Sequence, residues 1–190
     1  TTGFFEKRWN GPCAPAEKGN VPSFDVTATG VVYQTAPGGA QPAPSGKGYM
    51  TFSGNASSWK TQSMFAFSAF KTITMLVRPS DNLAADARTT IFSFTSPDIS
   101  PNLSLYRGPQ GDYMFDLFIP TVGHNYTKCV VNQWNLVVIH FNGDNGIINI
   151  LYSVADLPSI NTADGRGEFV KKMLTNQNAT GKILMRPFGP

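Results

Sequence analysis

From residue 49 onward, short runs of alternating apolar and polar residues are separated by turn-forming residues. The clearest run is 72–77, in which Ile73, Met75 and Val77 share one face and Pro79 follows at the end. Alternation at a period of two is the pattern of a half-buried β-strand, and proline ends a strand because it cannot donate to the hydrogen-bond ladder. The same pattern predicts further strands at residues 49–52, 90–94, 103–106, 113–119 and 183–185.

The strongest local signal is a β-hairpin in residues 134–152. An apolar run at 134–141 leads into Asn-Gly-Asp-Asn-Gly at 142–146, and a second β-branched run follows at 147–152. Asn-Gly sequences favour hairpin turns because both residues tolerate positive φ angles. Both strands carry apolar residues on each face, so we expect this hairpin to lie centrally in a sheet, covered above and below.

The first 48 residues differ from the rest because Gly and Pro interrupt them repeatedly. Such a stretch can hold only short extended pieces, of which residues 30–34 are the best. We interpret residues 1–20 as an N-terminal arm or linker and residues 21–190 as a single domain. Helical spacing of apolar residues is found at 168–177, where Phe169 and Met173 are four residues apart.

Eight or more closely spaced strands with little helix predict an all-β fold. The expected architecture is a two-sheet antiparallel jelly-roll sandwich, because each sheet must bury one face against another layer. The chain has 190 residues, of which 41% are hydrophobic, and its 14 Phe residues supply bulk for a sizeable core.

Four segments carry a resemblance to a known superfamily. They are a Gly-aromatic strand with a Gly turn at 48–54, a strand closing with Arg-Pro at 73–79, a Thr-Ile-Phe-Ser strand at 90–93, and the Trp-led hairpin at 134–152. In this order they resemble laminin G-like and concanavalin A-like jelly rolls over a little more than half of the chain. Residues 152–158 depart from the pattern, which usually has a short Gly turn after the hairpin. The resemblance implies a sandwich fold and much less about function, since the pattern describes no active site.

Charged residues make up only 14% of the chain, and the formal net charge is +3. Ordinary soluble proteins have roughly 25% charged residues, and a polar but weakly charged composition is common in extracellular and virion proteins. We therefore expect localisation at an extracellular surface or in a virion.

The basic doublets Lys7-Arg8 and Lys171-Lys172 form no stripe with aromatic residues, which argues against nucleic-acid binding. The longest apolar runs, such as 136–139, are strand-sized, which argues against membrane insertion.

The acidic residues give no catalytic pattern. Sandwich glycosidases need two carboxylates about 5–10 Å apart. Asp112 and Asp116 are the closest candidates, but on one strand face they would be roughly 13 Å apart at about 3.3 Å per residue. We therefore expect no catalytic residues and no enzyme. Of the two histidines, His124 and His140, the second fits a hydrogen-bonded core or edge position in its strand.

The oxygen-bearing residues Asn142, Asp144 and Asn145 could contribute to a calcium site, but they are also what a hairpin turn requires. With a single carboxylate among them, we favour the turn and expect no metal or other cofactor. Cys13 and Cys129 permit one disulfide, while two free buried thiols are an equal alternative.

Three aromatic residues in loop-like sequence are candidates for ligand binding, namely Trp9, Trp59 and Tyr126. Exposed aromatic rings in lectins stack against sugars, although a loop aromatic more often anchors its loop to the body of the domain. N-glycosylation sequons, which chance alone would produce at about half this frequency, begin at Asn55, Asn102, Asn125 and Asn178.

These features predict a non-catalytic structural or interaction module of a larger surface or virion (capsid-type) protein, which mediates protein assembly or attachment. Its partners would be protein neighbours in an assembly, or a glycan. A carbohydrate-binding, lectin-like module is the alternative, and a glycan-cleaving enzyme ranks third. The chain begins without Met and without a signal peptide, so we expect a processed form or a piece of a longer protein.

Overall fold

In the computed structural model of the protein, the chain divides into two compact units, Thr1–Phe70 and Lys71–Pro190. The structure describes residues 16–17, 26–34, 49–52, 57–61, 72–93, 102–119, 123–144, 147–175 and 183–184.

In the part of the first unit that the structure describes, five short strands form two antiparallel sheets. The strands are β1 (Ala16–Glu17), β2 (Val26–Thr29), β3 (Val31–Gln34), β4 (Tyr49–Phe52) and β5 (Ser58–Thr61). One sheet has the order β1-β2-β5, and the other pairs β3 with β4. Gly30, at a φ of 62°, separates β2 from β3 and lets the chain change sheets there. The Ser57 hydroxyl donates to the Gly30 carbonyl oxygen at 2.8 Å and ties the strand β5 back to this break.

The described residues of the second unit form eight strands and two helices. In chain order these are β6 (Thr72–Val77), β7 (Ala87–Ser93), β8 (Asn102–Arg107), β9 (Tyr113–Ile119), β10 (Gly123–Lys128), β11 (Asn135–Asp144), β12 (Ile147–Asp156), α1 (Leu157–Ile160), α2 (Ala163–Thr175) and β13 (Ile183–Leu184). The strands form two four-stranded antiparallel sheets, with the orders β10-β9-β8-β7 and β13-β12-β11-β6.

The core of the second unit lies between these two sheets. Its buried apolar residues alternate along their strands and come from both sheets: Leu103, Leu105, Phe115, Leu117 and Ile119 from one, Ile73, Val137, Ile139, Tyr152 and Val154 from the other. Burial raises the pKa of Tyr152, which is 1% exposed. Strand β10 of one sheet contacts β12 of the other, and the unit is sandwich-like.

The predicted all-β class is confirmed, and so is the predicted hairpin, in which β11 and β12 are paired over ten residues in the middle of their sheet. Two details of the prediction are wrong. The first strand of the hairpin continues to Asp144, so Asn142 and Asp144 are paired with residues of β12 and do not belong to the turn. In addition, the described residues of the first unit form small sheets of their own, so two sheets do not account for the whole chain.

Helix α2 begins at Ala163, five residues before the predicted start, because Thr162 caps it. The Thr162 hydroxyl accepts a hydrogen bond from the Gly165 backbone N–H at 3.0 Å. The helix packs on β12, where the buried Ser153 hydroxyl donates to the Phe169 carbonyl oxygen at 3.2 Å. Gly165 lies so close to the Ser159 carbonyl that a Cβ atom would overlap it.

Two glycines of α2 should therefore respond oppositely to alanine. We expect Gly165→Ala to lower the free energy of unfolding by about 1–3 kcal/mol, because the backbone must shift to accommodate a methyl group. Gly167 has no atom within 4 Å of an added Cβ, so Gly167→Ala should raise it by about 0.5–1 kcal/mol through helix propensity. Urea titration measures both, and two changes of the same sign would contradict the packing of α1 against α2.

Cys129 is a free, half-buried thiol at the end of β10. Desolvation raises the pKa of this thiol from 9.0 to about 12, with a backbone hydrogen bond opposing the shift. The folded state therefore holds its proton more tightly than the unfolded state. This contribution to stability is complete below pH 9.0 and is lost as the pH rises toward 12.

In a Cys13→Ser variant, in which Cys129 is the single thiol, we expect iodoacetamide at pH 8.5 to react at least about 100-fold more slowly with the folded protein than with the protein in urea, because only the thiolate is nucleophilic. The rate is measured by mass spectrometry. Equal rates in the two states would contradict the burial of this thiol.

Candidate functional site

The sheet β7–β10 has a second face, opposite the core, that carries polar and aromatic residues. Register places them in rows across the sheet. Asp116 of β9 is paired with Ser104 of β8 on one side and with Tyr126 of β10 on the other. Phe118 of β9 is paired with His124 of β10. Since successive side chains of a strand point to opposite faces, the alternation that sends Phe115 into the core sends Asp116 to this second face.

Asp116 is the centre of this face and is only 1% exposed. Its Oδ2 accepts a hydrogen bond from Arg88 Nε at 3.2 Å. His124 Nδ1 lies 2.8 Å from Oδ2 and 3.0 Å from Oδ1 of the same carboxylate. A buried carboxylate is costly unless it is both paired and hydrogen-bonded, and here a cation and an imidazole supply those partners.

Arg88 connects Asp116 to two tyrosines. Its Nη2 donates to the Tyr126 hydroxyl oxygen at 2.9 Å, and its guanidinium carbon lies 4.1 Å from the centroid of the Tyr106 ring. Desolvation would lower the pKa of Arg88, but hydrogen bonds to Asp116 and Tyr126 outweigh it and raise the pKa. The guanidinium is thus fixed at three points by a hydrogen bond to a carboxylate, a hydrogen bond to a hydroxyl and a cation–π contact.

Tyr106 is itself held by Asp86. The Tyr106 hydroxyl donates to Asp86 Oδ1 at 2.8 Å, and this hydrogen bond is the main reason that the pKa of Tyr106 is raised. Asp86 ends the turn before β7 at a φ of 57°, a left-handed conformation that aspartate tolerates better than most residues do. The turn therefore places an acceptor where the Tyr106 hydroxyl requires one.

Aromatic rings continue across the same face. The rings of Phe118 and His124 have centroids 4.6 Å apart, and those of His124 and Tyr126 are 5.6 Å apart and within 4° of parallel. Tyr106 and Tyr126 follow at 5.6 Å. The Arg88 and His124 side chains are 41% and 42% exposed, and Tyr126 is 43% exposed. We call Asp86, Arg88, Tyr106, Asp116, His124 and Tyr126 the Asp116 cluster.

The Asp116 carboxylate also determines which nitrogen of His124 carries the proton. An ionised carboxylate only accepts hydrogen bonds, so His124 must donate from Nδ1. A neutral imidazole in this tautomer has Nε2 as an acceptor, and no described residue bonds to Nε2. The pair can polarise the imidazole or hold it for a ligand, and no described hydroxyl or thiol is placed as a nucleophile at Nε2.

The end of β10 is anchored by a buried asparagine. The Asn135 side chain accepts from the Val130 backbone N–H at 3.1 Å and donates to the Val130 and Gln133 carbonyl oxygens at 2.8 Å each. Asn132, within this connection, has a φ of 60°. These bonds fix the path from β10 to β11, and with it the strand that carries His124 and Tyr126.

The three aromatic residues predicted to bind a ligand lie in different parts of the chain. Tyr126 belongs to the Asp116 cluster, but its predicted position in a loop is wrong, because it lies in β10 and is paired with Asp116. Trp59 was also predicted in a loop and instead lies in β5, paired with Ala28; its side chain is outside the described residues. Trp9 is outside the described residues entirely.

Arg88 and His124 were not predicted as site residues. The alternate spacing of His124, Tyr126 and Lys128, which places them on one face of a strand, is the sequence signal that could have indicated His124.

The other candidate residues of the sequence are not members of this cluster. Asp112 is exposed in the turn before β9, where its backbone oxygen accepts from the Gly108 N–H at 2.8 Å. His140 lies in β11, with its Nδ1 2.8 Å from the Thr72 hydroxyl. The sequon residues Asn102 and Asn125 lie in paired strands, and the Asn102 carboxamide oxygen accepts from the Ser104 hydroxyl at 2.8 Å. Asn55, Asn178 and Cys13 are outside the described residues.

Within the part of the chain that the structure describes, no group of three or more His, Cys, Asp or Glu residues is placed to hold a metal ion. Neither described helix has the length and apolar character needed to span a bilayer. No protein-family model, curated protein or solved structure matches the chain.

Two neighbouring aspartates provide a matched test of the cluster. Asp116→Asn should lower the free energy of unfolding by about 2 kcal/mol or more, because charge-assisted hydrogen bonds contribute about 1.5–3 kcal/mol and Arg88 loses its buried partner. Asp112→Asn, in an exposed turn that uses only the backbone, should change it by less than about 0.5 kcal/mol. Chemical denaturation measures both, and equal effects would show that Asp116 does not organise this face.

Proposed function

We propose that this protein is a non-catalytic interaction module of a larger surface or virion protein, and that it attaches to its target through the Asp116 cluster. The observation that carries the proposal is the use of the Asp116 carboxylate. Both of its oxygens are engaged, by His124 and by Arg88. A carboxylate committed in this way orders the side chains around it and is poorly placed to attack or protonate a substrate.

The exposure of the surrounding side chains supports attachment at this face. Arg88, His124 and Tyr126 are each held by a defined contact and yet remain more than two-fifths exposed. Tyrosine and arginine are enriched among the residues that contribute most to protein interfaces, because they combine contact area with hydrogen bonding. Side chains that are ordered and exposed at the same time lose little conformational freedom on binding.

We also propose a detailed fold for the second unit and a location for the protein. For residues 71–190 we propose a jelly roll of the laminin G-like, concanavalin A-like kind; two facing four-stranded antiparallel sheets and the central hairpin support it. The low content of charged residues, 14%, supports a place at an extracellular surface or in a virion. Sandwich sheets present broad faces, which suits attachment by surface side chains.

Carbohydrate binding is a second candidate function, and the position of Tyr126 favours it. This residue is exposed in a row of aromatic rings beside hydrogen-bonding groups. Lectins use the same combination, in which a ring contacts the C–H face of a sugar and polar groups contact its hydroxyls.

Attachment can be tested with the labelled 190-residue chain on a panel of intact cells, measured by flow cytometry. We expect saturable binding to at least one surface, and Tyr126→Ala should weaken that binding at least about tenfold, since truncation of a central aromatic contact typically costs about 2 kcal/mol or more.

Val170→Ala is the matched control, because Val170 is 55% exposed on helix α2, away from the cluster. It should bind like the parent protein. Three outcomes would contradict the proposal: binding to no surface, binding unaffected by Tyr126→Ala, or equal losses in the two variants. Circular dichroism of each variant shows that both are folded.

A further inference from the structure

The Asp116 cluster presents an unusual mixture of hydrogen-bonding groups to its surroundings. Among the described residues, nothing bonds to Arg88 Nη1 or to His124 Nε2, and the Tyr126 hydroxyl accepts from Arg88 while its own proton has no described acceptor. The exposed set is therefore a guanidinium donor, a hydroxyl donor and an imidazole acceptor. A ligand that satisfies all three must donate and accept hydrogen bonds at neighbouring positions.

The charge balance of the cluster argues against an anionic ligand. Arg88 carries the positive charge, but Asp116 is paired with it, and a second carboxylate, Asp86, accepts from the neighbouring Tyr106 hydroxyl. A guanidinium already neutralised by a carboxylate at 3.2 Å offers an anion less than an isolated cation would. The face therefore suits a ligand that makes hydrogen bonds without carrying charge.

The rings add an apolar surface next to these groups. Phe118, His124, Tyr126 and Tyr106 follow one another at centroid distances of 4.6, 5.6 and 5.6 Å. Since His124 and Tyr126 are stacked on each other, the row offers apolar ring atoms rather than one flat platform, and it matches a ligand that has C–H groups beside its polar groups. Pyranose rings have this construction, with axial C–H bonds on one face and vicinal hydroxyls, each both donor and acceptor, around the rim.

From these three features we infer that the Asp116 cluster is a binding site for a neutral saccharide. His124 Nε2 accepts from one sugar hydroxyl, while Arg88 and Tyr126 donate to neighbouring hydroxyl oxygens and the ring row contacts C–H groups of the sugar. Asp116 is a positioning residue, because it fixes His124 in the tautomer that leaves Nε2 free to accept. The inference rests on the proposed attachment function and names the chemistry of its ligand.

The test is a printed array of neutral, sialylated and sulfated oligosaccharides, probed with the full chain in EDTA. We expect neutral saccharides to bind in EDTA, because the contacts come from protein donors and acceptors alone. Tyr126→Phe keeps the ring and removes the hydroxyl, so affinity should fall about five- to tenfold, as for the loss of one hydrogen bond. The control is Tyr113→Phe, whose hydroxyl is buried in the same sheet without a described partner; affinity should change less than about twofold.

The role of Asp116 is tested by nitrogen-15 NMR of the imidazole. In the parent protein His124 should carry its proton on Nδ1, and in Asp116→Asn the proton should move to Nε2 in a substantial fraction of molecules, with binding at least about tenfold weaker. Where Asp116→Asn does not fold, His124→Phe replaces it and should weaken binding by the same factor. A proton on Nε2 in the parent protein would overturn the assignment.

The outcomes separate this inference from the attachment function. If Tyr126→Ala abolishes binding to cells while no neutral saccharide binds on the array, attachment stands and the saccharide inference is wrong. The saccharide inference also fails if periodate treatment of the cells leaves binding intact while protease removes it, since the target is then a protein. Preference for sialylated or sulfated saccharides would also overturn it. If cell binding is unaffected by Tyr126→Ala, both proposals fail.

Discussion

The burial of the Asp116 carboxylate is the constraint on which the polar face of the β7–β10 sheet depends. Removal of a carboxylate from water costs several kcal/mol unless charge and hydrogen bonds replace the lost solvent. Arg88 and His124 supply these bonds, and each is thereby fixed in place. Tyr126 is then positioned by Arg88, and the ring row follows. The exposed surface of the cluster is thus a consequence of the way one buried charge is satisfied.

The same strand pairing produces both the core and the site, so neither can change alone. In β9, Phe115 and Leu117 face the opposite sheet while Asp116, between them, faces outward. A slip of one residue in the pairing would place the carboxylate in the apolar core and the apolar residues at the surface. Strand β10 also contacts β12 of the other sheet. The apolar packing beneath the site therefore supports the strands that carry it.

Sequence patterns predicted the strands that bury a row of apolar side chains. They failed for a strand that has no apolar face. The run 72–77 and the run 113–119 coincide with β6 and β9, because apolar alternation reports a core-facing side. Strand β10 (Gly-His-Asn-Tyr-Thr-Lys) is polar on both faces, and such a pattern predicts a loop for its aromatic residue, Tyr126. The segment is a strand because it pairs with β9. The contact between Arg88 and Asp116 spans two strand pairings, and nothing local in the sequence encodes it.

The restraint of Arg88 bears directly on whether this face suits binding. A free arginine side chain loses about 2 kcal/mol of rotamer entropy when a ligand immobilises it. Here Asp116, Tyr126 and the ring of Tyr106 have already fixed the guanidinium, so folding has met that cost before any ligand arrives. A lysine at the same position could provide the charge, but it could not make two directed hydrogen bonds while lying flat on a ring. Preorganisation of this kind allows a small number of contacts to give a useful affinity.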